Sequence, residues 1–221
     1  MEHNERHPDR PIGGGLRYGD AEAMFRLMRS IAAGRESDIG KGVKSLSEKL
    51  GETSYAYHTK GIELPAYLPD TNPGYPWAIA GGHMSMRTFL LLMIEGKTDL
   101  DYWESAIVDK GLYTMRDDMS GLCKFSGLGD PKVLDAIRES TGVSLSLEEL
   151  RGAVLRTYLR AYAMERAAGC NELDYRMPDQ SHEPNPWVKL PYFVSREFFA
   201  ELRERVNRRF DSLVAQHVAN G

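Results

Sequence analysis

Cysteine is scarce in this chain, which holds only Cys123 and Cys170 among 221 residues. Two cysteines do not form the disulfide framework typical of small secreted proteins. The first residues are polar and lack the apolar stretch of a secretory signal peptide. Together these features predict a protein of a reducing compartment, and we expect a cytoplasmic location.

Long apolar runs and an excess of positive charge are also missing. The longest apolar run, Phe89–Ile94, is far too short to cross a bilayer, so no membrane association is predicted. The net charge of −4 argues against nucleic acid as a partner, because phosphate binding requires a concentrated basic surface. Hydrophobic residues make up 42% and charged residues 27% of the chain, as in ordinary globular domains.

No stretch of convincing length alternates as a strand would, whereas helical periodicity recurs along most of the chain. We therefore predict a mainly α fold of several helices, with long irregular loops. The methionines and leucines of the first two helices are predicted to be core residues. From capping residues and glycine stops, helices are predicted over residues 20–34, 38–50, 84–95, 101–119, 130–141, 146–168 and 195–219.

Three regions are predicted: a disordered leader over residues 1–15, a helical region over 16–190, and a C-terminal amphipathic helix over 191–221. In the leader, His3 and His7 are expected to be solvated rather than metal ligands. Two Pro-rich loops, Tyr55–Pro76 and Asn171–Pro191, interrupt the helices. Long ordered loops often carry function, although the first could simply wrap the core, with Lys60 and Glu63 as a solvated pair.

The stretch Arg116–Ser126 concentrates residues with chemical potential. Asp118 could accept hydrogen bonds, Gly121 permits close backbone approach, and the Cys123 thiolate would be a soft metal ligand. The alternative is a helix that ends at Gly121, with Cys123 packed as a small buried hydrophobe. Spacing alone favours that alternative.

His83 follows two glycines and precedes an apolar helix. A histidine there could move protons near neutral pH beside an anionic ligand, or it could simply cap or pack against the helix. From the residues alone, capping or packing is the better interpretation.

Several stretches, taken together and in order, resemble the C-terminal region of the tungsten-containing aldehyde:ferredoxin oxidoreductase family. The Asp-x-x-Gly-Leu-Cys motif at Asp118–Cys123 is the most specific of them. The resemblance runs from Gly15 to about Asp179, and the other similar pieces are 18–23, 60–67, 81–83, 141–142, 147–150, 165–169 and 176–178.

The resemblance implies helical domains that close over tungsten, or molybdenum, held by two pterins beside a [4Fe-4S] cluster. Asp118 would accept hydrogen bonds from a pterin, Cys123 would ligate the cluster, and His83 would relay protons. Gly121, Leu122 and Lys124 complete the implied cofactor contacts. The implied reaction converts an aldehyde and water to a carboxylic acid, with two electrons leaving through the cluster to ferredoxin.

The chain departs from that family in several places. The C-x-x-C-x-x-x-C cluster motif and the pterin-cradling domain are absent, and Ile79 and Ser85 stand where many members have a basic residue. We therefore expect a component that needs an N-terminal pterin-binding, cysteine-bearing partner chain. The alternative is a truncated, non-catalytic helical interaction module, and a weaker option is reduction of an acyl or aromatic substrate.

Overall fold

A computed structural model describes residues 1–64, 73–78, 99–123, 126–184 and 194–218. These residues are mostly helical, which confirms the predicted mainly α fold class. The chain divides into two compact units, residues 1–56 and 57–221. Among the helices of the described ranges, none is long and apolar enough to cross a membrane.

The first unit begins with an ordered segment where the sequence predicts a disordered leader. Helix α1 spans Glu2–Arg6, and the Asn4 side chain joins it to the following turn. Asn4 donates to the carbonyls of Ile12 and Leu16 at 3.0 and 2.9 Å and accepts from the Ile12 N–H. His3 is only 6% exposed, so the expectation of a solvated His3 is corrected. Side-chain hydrogen bonds, which composition does not reveal, order this segment.

The next two helices of this unit form near their predicted positions. Helix α2 spans Ala21–Ala32, and the Asp20 side chain caps it by accepting from the Ala23 N–H. Helix α3 spans Val43–Leu50 and ends at Gly51, which has left-handed backbone geometry. The second predicted helix starts late because Gly42, at φ +93°, separates α3 from the short 3₁₀ turn Ile39–Lys41.

The prediction that the methionines of α2 are core residues is wrong for both of them. Met24 is 42% exposed and Met28 is 55% exposed, and Phe25 on the same helix is 48% exposed. Helical periodicity identified an apolar face, but periodicity alone does not say whether that face is covered.

The second unit is a helical assembly around one core. Its described helices are α4 (Leu100–Val108), α5 (Gly111–Met119), α6 (Asp130–Thr141), α7 (Leu147–Ala167) and α8 (Arg196–His217). Helix α7 contacts α5, α6 and α8, and α4 packs on α8. The core side chains are mostly aromatic and branched aliphatic residues, including Trp103, Ile107, Val154, Tyr158, Leu159, Tyr162, Tyr175, Leu202, Val206 and Phe210.

The capping signals of the two longest helices are confirmed. Ser146 and Glu149 form the reciprocal capping box at the start of α7. Ser195 caps α8 by accepting from the Phe198 N–H at 3.1 Å. In α8, Arg205 and Arg209 form ion pairs with acidic residues in and just after α4, so part of its charged face is an intramolecular contact.

The predicted helix over residues 101–119 is in fact two helices. The chain turns at Asp109 and Lys110, between α4 and α5. Gly111 opens α5 directly against α7, where a Cβ atom would lie 2.9 Å from the Tyr158 hydroxyl. Gly111 therefore permits a close approach of α5 and α7, and the break between α4 and α5 lies immediately before it.

A short hairpin precedes the helices of the second unit, although the sequence suggested no strands. Strand β1 (His58–Thr59) pairs antiparallel with β2 (Ile62–Glu63). The two-residue turn uses Lys60 at φ +51° and Gly61 at φ +88°. Positive φ at both central residues is the geometry of the tight hairpin turns that match strand twist.

Candidate functional site

The Asp118–Cys123 motif forms the C-terminal end of α5. The Leu122 N–H donates to the Asp117 carbonyl at 2.9 Å, and the Gly121 N–H donates to the Asp118 carbonyl at 3.2 Å. Gly121 has φ +66°. This pair of bonds around a left-handed glycine is the Schellman motif. The prediction that α5 ends at Gly121 is therefore confirmed.

The same turn presents the chemically active side chains to solvent. Leu122 is half-buried against the core, whereas Asp118 and Cys123 on either side of it are exposed. A Cβ atom on Gly121 would meet nothing within 4 Å, so the space in front of the turn is open. The alternative of a buried Cys123 is thus corrected, because Leu122 rather than Cys123 packs inward.

A buried charge network braces the segment that carries this motif. Arg116 donates to Asp117 at 2.6 and 2.9 Å and to the Leu128 carbonyl at 2.8 Å. It also forms an ion pair with Asp130, whose other carboxylate oxygen accepts from Arg151 at 2.9 Å. The guanidinium therefore links α5 to the first turn of α6, and it holds together the two ends of the connection between these helices.

The network favours the charged forms of its members. Burial opposes the charge on Arg116, but the Asp117 and Asp130 carboxylates raise the pKa of its guanidinium. Burial likewise opposes the charge on Asp130, yet Arg116 and Arg151 hold the pKa of that carboxyl below its ordinary value. Asp130 was expected to cap α6, but Gly129 occupies the cap position and Asp130 serves the network instead.

A cavity of about 600 Å³ lies beside this network, between α5 and α7. Its walls are largely apolar, and its polar rim includes Arg116, Asp130 and Arg151. The apolar lining includes Leu112, Tyr113, Leu147, Leu150, Val154 and Leu155.

The structure brings only part of the predicted site together. Asp118, Gly121, Leu122 and Cys123 lie on one turn, whereas His83 and Lys124 are outside the described residues. Within the described ranges, no group of three or more histidine, cysteine or acidic side chains close enough to share a metal ion includes Cys123. These residues therefore fit one edge of a cofactor site, with a single thiol, and do not fit a whole site.

A second buried ion pair was not predicted from the sequence. Lys60, expected to be solvated, has a side chain only 4% exposed and donates to both Glu165 carboxylate oxygens at 2.7 and 2.8 Å. It also donates to the Ala78 carbonyl at 2.9 Å, and Tyr175 donates to Glu165 at 3.1 Å. Because the two residues are 105 positions apart, no local sequence pattern indicates this pairing.

These features define a helical domain whose exposed Asp-x-x-Gly-Leu-Cys turn faces away from its own core. The chain matches the family model described as aldehyde ferredoxin oxidoreductase, domains 2 and 3, over residues 1–198. It therefore belongs to the aldehyde ferredoxin oxidoreductase family, as the resemblance predicted. No curated protein matches the chain.

Proposed function

We propose that this chain contributes one edge of a metal–pterin and iron–sulfur centre in an aldehyde-oxidising enzyme. The observation that carries the proposal is the exposed pair Asp118 and Cys123 on a turn fixed by Schellman hydrogen bonds and by Arg116. A rigid turn that offers a carboxylate and a free thiol to open space suits a ligand held mostly by other residues.

Each residue of the turn has a distinct proposed role. Asp118 would accept a hydrogen bond from a pterin N–H, and Gly121 would allow the ring to approach the backbone. Leu122 anchors the turn in the core, and Cys123 would bind iron as a thiolate. Lys124, next to the thiolate, would supply positive charge, and His83 would hold or release a proton near the substrate.

When bound, the metal–pterin and the cluster would supply the redox chemistry. The balanced reaction takes an aldehyde and water to a carboxylic acid, two protons and two electrons. The electrons pass to ferredoxin and the protons go to solvent. Because one thiolate cannot hold a [4Fe-4S] cluster, three further cysteines and a pterin cradle must come from an N-terminal region outside these 221 residues.

The test is reconstitution of the chain with a candidate N-terminal region from the same genome. We expect the purified complex to contain iron and either tungsten or molybdenum, and to reduce a viologen dye when an aldehyde is added. Cys123→Ser should lower the iron content and the activity, whereas the matched control Cys170→Ser should change neither.

The competing function is a non-catalytic helical interaction module. It predicts a complex without iron, tungsten or molybdenum, in which Cys123→Ser behaves as the unmodified chain does. A wild-type complex that lacks iron after anaerobic reconstitution with iron and sulfide would overturn the enzymatic proposal.

A further inference from the structure

Two histidines and a glutamate converge in the first unit, in a part of the chain that the proposed function does not use. His3 and His7 lie one turn apart along α1 and its end, and Glu52 follows the end of α3. The His3 Nδ1 atom lies 2.8 Å from one Glu52 oxygen, and the His7 Nε2 atom lies 3.0 Å from the other. The three potential ligand atoms are all within 4.8 Å of one another.

We propose that His3, His7 and Glu52 bind a divalent first-row metal ion, with Zn²⁺ as the best fit. Two imidazoles and one carboxylate form a ligand set that zinc accepts, with a fourth position left for water. Tetrahedral bonds of about 2.0 Å place ligand atoms about 3.3 Å apart. The two histidine–carboxylate distances of 2.8 and 3.0 Å would therefore widen slightly, and any separation near the 4.8 Å limit would close around the ion.

The surroundings orient His3 as a metal ligand. Its Nε2 atom lies 3.1 Å from the Arg10 carbonyl oxygen, which can only accept, so Nε2 carries a hydrogen. Without an ion, Nδ1 donates to Glu52 at 2.8 Å. A bound metal would take the place of that hydrogen, and the Nε2–H bond to the Arg10 carbonyl would keep Nδ1 aimed at the convergence point, as in the backbone-bonded histidines of metal sites. The His3 side chain is 7% exposed and that of Glu52 12%, so both are held by packing.

The Glu52 carboxylate has further partners that bear on metal binding. Tyr55 donates to it, and His3, His7 and Arg10 face the same two oxygens, so the carboxylate is held at the convergence point.

The Arg10 guanidinium is the charged group that competes with a cation. It pairs with Glu52 and lies 3.3 Å from His7 Nδ1. Its side chain is 54% exposed and free to turn to solvent when the metal enters. Its removal should therefore leave zinc binding as tight or tighter, while the Arg10 backbone carbonyl still holds His3.

The test uses the full chain, produced without a histidine tag, and titration calorimetry with zinc chloride at pH 7.5. We expect one zinc ion per chain and a raised melting temperature, with visible absorption when cobalt replaces zinc. His7→Ala and Glu52→Gln should weaken binding more than about tenfold, since even outer partners of metal ligands contribute that much.

Arg10→Ala should bind zinc at least as tightly as the unmodified chain, and His217→Ala, which removes an exposed histidine of α8, is the matched control. Zinc binding that is absent in the unmodified chain would overturn the proposal. Binding that persists unchanged in both His7→Ala and Glu52→Gln would also overturn it, because the ion would then sit elsewhere. Circular dichroism of each variant should show the helix content of the unmodified chain.

Discussion

The buried Lys60–Glu165 pair makes the sharpest prediction about stability. Replacing Glu165 with Gln removes the counter-charge but keeps the shape and one acceptor oxygen. The Lys60 ammonium, 4% exposed, would then keep the Ala78 carbonyl and an amide oxygen, with no carboxylate. Breaking a buried ion pair on one side costs about 3–5 kcal/mol, and the retained amide oxygen places Glu165→Gln near the lower end.

Lys60→Met should cost less than Glu165→Gln. The Glu165 side chain is 23% exposed, so its carboxylate can gain water when Lys60 is removed. The loss of unfolding free energy in the double variant should be clearly smaller than the sum of the two single losses, with a coupling energy of about 2 kcal/mol. The reason is that the double variant leaves no buried charge without its partner.

The measurement is urea unfolding followed by tryptophan fluorescence. The buried Trp77 and Trp103 lie in the second unit, so their fluorescence reports the unit that contains the ion pair. Glu139→Gln, on the exposed surface of α6, is the matched control and should change stability by less than about 0.5 kcal/mol. A Glu165→Gln loss no larger than that of the control would refute the reasoning.

The same pair fixes the sign of a pH effect. Burial lowers the pKa of Lys60 below its ordinary 10.5, although Glu165 opposes the shift. The unfolded chain therefore holds this proton more tightly than the folded chain does. The Lys60 contribution to stability should rise as the pH climbs from the lowered pKa toward 10.5, and this rise should disappear in Lys60→Met.

Three shorter predictions follow from other contacts. Asp130→Asn should make the free energy of unfolding depend less on pH in acid. The lowered pKa of the Asp130 carboxyl gives stability above pH 3.8 that is lost as the pH falls through the pKa of the folded state, and urea melts between pH 2 and 6 measure this loss. Gly111→Ala should cost about 1–3 kcal/mol by thermal unfolding, since its Cβ would press on Tyr158. Exposed Cys123 should react with a thiol-specific dye faster than partly buried Cys170, as mass spectrometry of the labelled chain would show.

Each of these has an internal control. Gly152→Ala lies on α7, where the new Cβ meets only the mobile end of Arg156, so it should be neutral or stabilising. Arg138→Gln, which breaks an exposed ion pair on the helix surface, is the control for the pH dependence of Asp130→Asn. Equal labelling rates for the two cysteines would contradict the orientation assigned to the Asp118–Cys123 turn.

Local signals predicted most of the helices correctly. Capping by Asp20, Ser146 and Ser195 and the stops at Gly51 and Gly142 are all confirmed, because each depends on a few neighbouring residues. The break at Asp109–Lys110 was missed, although Gly111 directly after it is a residue that often marks the end of a helix.

The candidate site was predictable as a motif but not in its orientation. The Asp-x-x-Gly-Leu-Cys pattern and the helix end at Gly121 follow from the sequence. Which side chain packs inward does not, because Leu122 and Cys123 are both plausible core residues. The Schellman turn decides the matter, since its bonds direct Leu122 onto the core and leave Cys123 exposed.

Two buried ion pairs could not be predicted from the sequence, because the residues of each pair are not neighbours in it. Lys60 and Arg116 look like surface residues by type, but each is buried against a carboxylate that is remote in the sequence, and Arg116 also pairs with its neighbour Asp117. A charge is costly to bury without such a partner, so each pair pins two remote segments in one arrangement. For Arg116 the pinned segment carries the Asp118–Cys123 turn. The network that fixes this turn is thus part of the proposed site, although it bears none of the family motif.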